Sequence, residues 1–136
     1  MNFITFLIES NDSELLDKNQ EVSLQDKVPD EISALMSNVK NITKYRTIYA
    51  GSTPVGAIRI KKTKSGGYQV GAIFIVSKYK KHNYAEKAIK LGIGRKPAQT
   101  LIAAYDTASK ILFSNLGFKH TSNKEHNGEM LELWTR

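Results

Sequence analysis

The chain has 136 residues, 40% of them apolar and 24% charged, with a formal net charge of +7. That length predicts one domain, spanning 1–136, with enough buried surface for a core that needs no staples. Its lack of cysteine excludes disulfides and thiolate metal sites, and three histidines without HExxH spacing predict no metal centre.

Charge is unevenly distributed. Residues 1–43 carry three Lys/Arg and eight Asp/Glu, residues 44–97 carry thirteen Lys/Arg against Glu86 alone, and residues 98–136 carry four of each. A basic run is often only a solvated face. Concentration of the whole excess in one segment favours a polyanionic ligand there, either a cofactor phosphate or a nucleic acid.

Asn2 to Ile8 reads as a strand, and Asp12 as the cap of a short helix to Lys18. The opening lacks a basic n-region and a small-residue cleavage site, and no run reaches 18 apolar residues. A cytoplasmic address without membrane contact is therefore the expectation. Pro29-Asp30-Glu31 opens a second helix with Ile32, Leu35, Met36 and Val39 on its inner face. Strands are predicted over Tyr45–Ala50, Val55–Lys61 and Tyr68–Val76, separated by the turns Gly51–Pro54 and Lys62–Gly67. The third ends in Ala72-Ile73-Phe74-Ile75-Val76, the composition of a central strand buried on both faces.

A basic loop follows, Ser77-Lys78-Tyr79-Lys80-Lys81-His82. A helix over Asn83–Lys90 comes next, with Ala85, Ala88 and Ile89 inward and capping-box spacing from Asn83 to Glu86. Thr100–Ala104 is another buried strand. Asp106 can cap a helix over Thr107–Leu116, and Gly117 stands where a left-handed cap is expected. Phe118–Thr121 and Met130–Trp134 should pair around Asn127-Gly128. The order β-α-α-β-β-β-α-β-α-β-β describes an α/β protein, a mixed α+β sheet flanked by helices.

A buried strand, a basic loop and a helix start together make an anion site, because first-turn amides lack backbone partners and share the positive end of the helix dipole. Val76 to Ala85, V-S-K-Y-K-K-H-N-Y-A, resembles motif A of the GNAT N-acetyltransferases, V-x-P-x-Y-R-G-x-G-x-G/A. Asp106 to Phe118, D-T-A-S-K-I-L-F-S-N-L-G-F, resembles the same family's N-x-x-A-x-x-L-Y-x-x-L-G-F. The resemblance covers about residues 45–136, and element order extends it to the whole chain. It implies a GNAT-like fold with splayed central strands, acetyl-CoA as co-substrate, and transfer of an acetyl group to an amine.

On this alignment Lys80, Lys81, His82, Asn83, Tyr84 and Ala85 hold the pyrophosphate. The backbone of Phe74, Ile75 and Val76 bonds the pantetheine, and Asp106 lies near the CoA arm. Lys81 and Asn83 replace motif glycines, and Asn is the non-glycine residue that best tolerates a left-handed backbone. Phe113 stands where the family often has the tyrosine that protonates the departing thiolate, and phenylalanine has no proton to give. Tyr105, Ser109 and His120 are the substitutes within reach, with Tyr105 and Ser109 the candidate catalytic residues. Each also has a plain structural reading, as sheet aromatic, packing residue and strand surface. The Tyr68–Val76 strand carries no carboxylate to act as general base.

Three functions compete. One is acetyl transfer to an amine, with the basic stretch 44–64 favouring an acidic or nucleic-acid-linked acceptor. The second is a GNAT-like binding or inhibitory module without catalysis. The third is a nucleic-acid-binding domain that uses the basic segment 44–97.

Overall fold

The computed structural model describes residues 20–39 and 41–136, without the side chains of residues 80–82. The predicted strand Asn2–Ile8 and the helix to Lys18 lie outside the described residues. In chain order the elements are β1 (Val22–Gln25), α1 (Asp30–Leu35), β2 (Arg46–Ala50), β3 (Thr53–Lys62), β4 (Tyr68–Ile75), α2 (Tyr84–Ile93), β5 (Ala98–Ala103), α3 (Thr107–Asn115), β6 (Lys119–His126) and β7 (Glu129–Thr135). Short 3₁₀ turns occupy Ile42–Lys44 and Ser77–His82, so the expected basic loop is one such turn.

The seven strands form one sheet in the order β1-β2-β3-β4-β5-β7-β6. All neighbours are antiparallel except β4 and β5, which the α2 crossover makes parallel. β1 went unpredicted because three partly buried residues, Val22 to Leu24, give too short an alternation to stand out. α1 is shorter than expected. Ile32 and Met36 are buried as predicted, but the helix ends at Leu35, which is 52% exposed rather than inward.

The ladders assign the faces. Residues opposite one another across a ladder share a face, so Ile58, Ile73, Val70, Thr100 and Trp134 line one side of the sheet. α2 lays Tyr84, Ala85, Ala88, Ile89 and Ile93 against that side, at helical spacing. α3 adds Ser109 and Phe113 to it. Its start is fixed by Asp106, whose carboxylate accepts the Ser109 amide at 3.1 Å and the Ser109 hydroxyl at 2.6 Å. Its end is a Schellman motif: Gly117 has φ +89°, Phe118 N–H donates to Phe113 O at 2.9 Å, and the two rings meet edge-on at 5.0 Å. The Asn127-Gly128 turn has both residues at positive φ, as a two-residue type I′ hairpin requires.

One irregularity decides the shape of the sheet's centre. Arg59 pairs with Ala72 and Ile60 with Val70, so Gly71 is an extra residue, a bulge in β4. Pairing of β4 with β5 runs from Tyr68↔Ala98 to Val70↔Thr100, stopping at that same point. Beyond it β4 and β5 part, giving the expected splay. The Thr100 hydroxyl closes the base of the fork by donating to Val70 O at 2.9 Å.

β3 is held tightly against the splayed half of β4. A Cβ placed on Gly56 would stand 2.0 Å from Phe74 O, and no flexible side chain is there to yield. At Gly71 the same addition would meet the Arg59 guanidinium at 2.7 Å, an obstacle that can swing away. We therefore expect Gly56→Ala to destabilise the fold by about 1–3 kcal/mol or more, and Gly71→Ala by clearly less, in paired denaturant titrations. Equal losses would show that β3 and β4 do not approach as described.

Candidate functional site

The bulge reverses which backbone groups of β4 face which neighbour. Below it, Tyr68 N–H donates across to Pro97 O on the β5 side. Above it, Val76 N–H donates to Val55 O at 2.9 Å, just beyond β3's pairing with Ile75. Antiparallel alternation then turns Phe74 and Val76 toward β3 and leaves the N–H and C=O of Ile73 and Ile75 facing the gap. Of the three residues expected to offer backbone bonds to a ligand, Ile75 turns its peptide groups to the gap, as Ile73 does. Phe74 and Val76 turn theirs to β3.

Next to this gap lies a cavity of about 290 Å³, lined by Ile75, Asn83, Ala85, Glu86, Ala108, Ile111, Leu112 and Asn115. It is formed by the end of β4, the start of α2 and one flank of α3. Lys87 N–H donates to Asn83 O at 3.1 Å, the first turn of the helix. The preceding amides of Ala85 and Glu86 therefore have no partner within α2.

Asn83 has φ +61° and ψ +25°, the left-handed conformation that the alignment with a motif glycine implied. The capping-box alternative fails, since the Asn83 side chain makes no cap bond to the helix. A left-handed residue here turns the chain from the 3₁₀ turn into α2, so that Asn83 and Ala85 can both border the cavity. Lys80, Lys81 and His82 have their backbone in that turn, immediately before the helix.

Other expected residues are placed differently. The Tyr84 side chain is fully buried, with Lys87 Nζ 5.9 Å from its ring centre, so only its backbone can reach a ligand. Asp106 and Ser109 are bonded to each other as the α3 cap, and neither lines the cavity. The Ser109 hydroxyl is completely buried with its proton directed at Asp106. Tyr105, 79% exposed, follows the end of β5 at the entrance to α3. Phe113 points into the Schellman contact with Phe118, while Ile111 and Leu112 border the cavity.

His120 sits on the outermost strand, away from the gap. Its Nε2 lies 2.8 Å from Asn123 Oδ1, and its ring stacks on Trp134 at 5.8 Å. It belongs to a polar cluster around Glu132, whose carboxyl is held below the usual range chiefly by a hydrogen bond from Lys110, at 2.9 Å. That pair ties α3 to β7.

Glu86 was not among the expected site residues, and it is chemically the least expected member of the lining. It places a carboxylate beside a helix start that otherwise suits an anion, with Lys90 4.0 Å away as its partner one turn on. Its position three residues after Asn83 was visible in the sequence, but the capping-box reading absorbed it. Ile111, Leu112 and Asn115 lie on the outer flank of α3, and nothing in the motif-like run around them distinguishes a cavity wall from surface.

No family model matches this sequence, and no curated protein matches it. Among solved structures, Ard1 from Thermoplasma volcanium superposes with a TM-score of 0.64 at 7% identity, covering 85% of this chain and 96% of that one. A Bacillus subtilis acetyltransferase in complex with CoA gives 0.61 at 17% identity, with coverages of 86% and 97%. The chain has the GNAT fold. A protein described as a GnaT-family acetyltransferase from Bordetella pertussis matches with a TM-score of 0.51 at 19% identity over 68% of this chain, which spans only 63% of that longer one. The GNAT fold carries the splayed strands here on a bulge at a glycine, a signal present in the sequence as a Gly inside an apolar strand.

Because L-residues other than Asn and Asp avoid φ near +60°, Asn83→Val should lower stability by about 1–2 kcal/mol, whereas Asn83→Gly should be neutral within a few tenths. Thermal or urea unfolding of the two variants checks this. Equal behaviour would mean that the backbone at 83 is not left-handed.

Proposed function

We propose that this chain is an acetyl-CoA-dependent N-acetyltransferase acting on an amine acceptor. One observation carries the reading: Ile75 belongs both to the backbone edge left unpaired by the splay and to the wall of the cavity at the start of α2. A ligand with a phosphate end and an amide-bearing arm fits that combination. Fold likeness to a CoA-bound acetyltransferase supports it.

When bound, acetyl-CoA supplies an activated thioester that an amine can attack. The amides of Ala85 and Glu86 take the pyrophosphate, with Lys80, Lys81 and His82 adding positive charge on the approach. The backbone of Ile73 and Ile75 bonds the pantetheine arm, and an amide on this edge steadies the oxyanion as it develops. With the α2–α3 side of the gap taken by the cofactor, the acceptor reaches the thioester from the α1 side. Much of the rate then comes from holding amine and thioester in line.

Tyr105 is the remaining candidate for protonating the thiolate, since Ser109 is committed to Asp106 and Phe113 to Phe118. The buried Phe113 also supports a second reading, a domain that binds acetyl-CoA without turning it over.

Acetyl-CoA at a hundredfold excess over Kd should add about 2.7 kcal/mol to stability, read as a rise in Tm. No shift at saturating concentration rejects both readings. Removing the charge beside the phosphates, Glu86→Gln, should tighten binding several-fold, because a like charge opposes the ligand there. Tyr105→Phe should cut kcat about a hundredfold with KM unchanged if the phenol acts on the leaving group. A silent Tyr105→Phe assigns the proton to water, and binding without turnover for any amine favours the second reading.

A further inference from the structure

The sequence groups thirteen cations in residues 44–97, but the fold divides them between two ends of the molecule. Lys78, Lys80, Lys81 and Lys87 flank the turn and the start of α2, beside the acyl site. The rest of the excess lies largely at the other end of the sheet. The eight residues of β4 set Ile75 about 23 Å from Tyr68 at strand spacing.

At that far end four separate segments converge. Lys62 ends β3 and Lys64 lies in the turn to β4. Thr63 N–H bonds Gly67 O, and Tyr68 N–H bonds Pro97 O, which sets this turn beside the loop from α2 to β5 that carries Arg95 and Lys96. Arg136 pins the loop by donating to Gly94 O and Lys96 O, both at 2.9 Å. Lys119 opens β6 opposite Thr135 on the same edge, and Lys44 precedes β2. Lys44, Lys62, Lys64, Arg95, Lys96 and Lys119 are all exposed. Of the acids, Asp106, Glu125 and Glu129 lie at the acyl-site end, and Asp26 follows Gln25, which the ladders set level with Phe74 rather than with Tyr68.

We propose that this end of the sheet binds the sugar–phosphate backbone of a duplex nucleic acid, independently of the acyl site. The ends of β3, β4, β5, β7 and β6 lie level, and five strands at about 4.8 Å make a row about 19 Å long, which matches roughly six phosphates of one duplex strand at about 3.4 Å each. The cations sit on short turns and strand ends braced by backbone hydrogen bonds, so their spacing is fixed before contact. The chemistry favours phosphate contacts without base stacking. Tyr45 is buried and Tyr68 partly buried, so no fully exposed aromatic ring stands among the described residues of this end. An anionic membrane is a poorer match, because the large exposed apolar residues, apart from Leu91 on α2, lie on other surfaces: Leu35 on α1, Tyr105, Ile111 and Met130 at the acyl-site end.

The test is fluorescence anisotropy of the full chain with labelled duplexes of about 20 base pairs, RNA and DNA of one sequence, across a salt series. Both should bind, with little dependence on sequence, and log K should fall linearly with log salt. Replacing Lys62, Lys64, Arg95 and Lys96 together by Gln should weaken binding by at least about tenfold and reduce the salt slope by about three to four. The same change at Lys124, near the opposite end of β6, should leave affinity within about twofold. Circular dichroism and the unfolding midpoint check that the fourfold variant is folded. No duplex binding at low salt would overturn the proposal, as would an unchanged salt slope in the fourfold variant. Tighter binding of phosphatidylserine vesicles or polyglutamate than of duplex would also overturn it. Because acetyl-CoA binding is read separately by Tm, failure here is distinguishable from failure of the acyltransferase reading.

Discussion

The bulge at Gly71 is the constraint from which the site follows. One extra residue in β4 shifts the phase of its hydrogen bonding: below it the strand serves β5, and above it the alternate residues serve β3. The peptide groups of Ile73 and Ile75 are left facing a gap in the middle of the sheet. Unpartnered backbone in a buried position is expensive, so such an edge persists only if water or a ligand completes it. The close approach at Gly56 and the Thr100 hydroxyl bond at the fork keep the edge from simply re-pairing. The glycine supplies no chemistry. It sets the register that leaves this edge open.

The helices obey a similar division of labour. α3 is closed at both ends by its own side chains and backbone, through Asp106 with Ser109 at one end and Phe113 with Phe118 at the other. Its motif-like residues are consumed in defining where the helix begins and stops. At the start of α2 the left-handed Asn83 supplies a turn but no side-chain cap. The contrast between the two helix starts distinguishes the two ends of the molecule more clearly than the lysines do, since lysines occupy both.

Much of this could be read from the residues. Continuous apolar runs marked β4 and β5 as central, Asn127-Gly128 marked the closing hairpin, and Asn83 in a glycine position foretold its backbone. What escaped reading depends on phase. A strand's side chains alternate in any register, so the run Ala72 to Val76 could not reveal which of its amides faced β3. The Gly71 bulge decides that, and a single glycine does not announce its own hydrogen-bond partners. The division of charge in space was hidden for a related reason. A strand carries the chain from one end of the sheet to the other, so lysines on either side of β4, such as Lys64 and Lys78, lie at opposite ends. Likewise the motif position of Phe113 suggested the cavity, whereas the geometry of the helix end turned its ring toward Phe118.

The outer strand β6 has seven of its eight residues exposed, with Lys119, Lys124 and Glu125 among them. Among the described residues, no strand lies beyond its free side in the order of the sheet. An edge of this kind is a template for aggregation when it is flat and apolar. Here Lys119 and Lys124 near its two ends and the irregular register between His120 and Ser122 make it a poor one. An identical strand laid antiparallel would bring lysines and polar side chains together without burying any apolar surface. The same exposure that keeps β6 out of the core makes its edge a poor template for a strand from another copy.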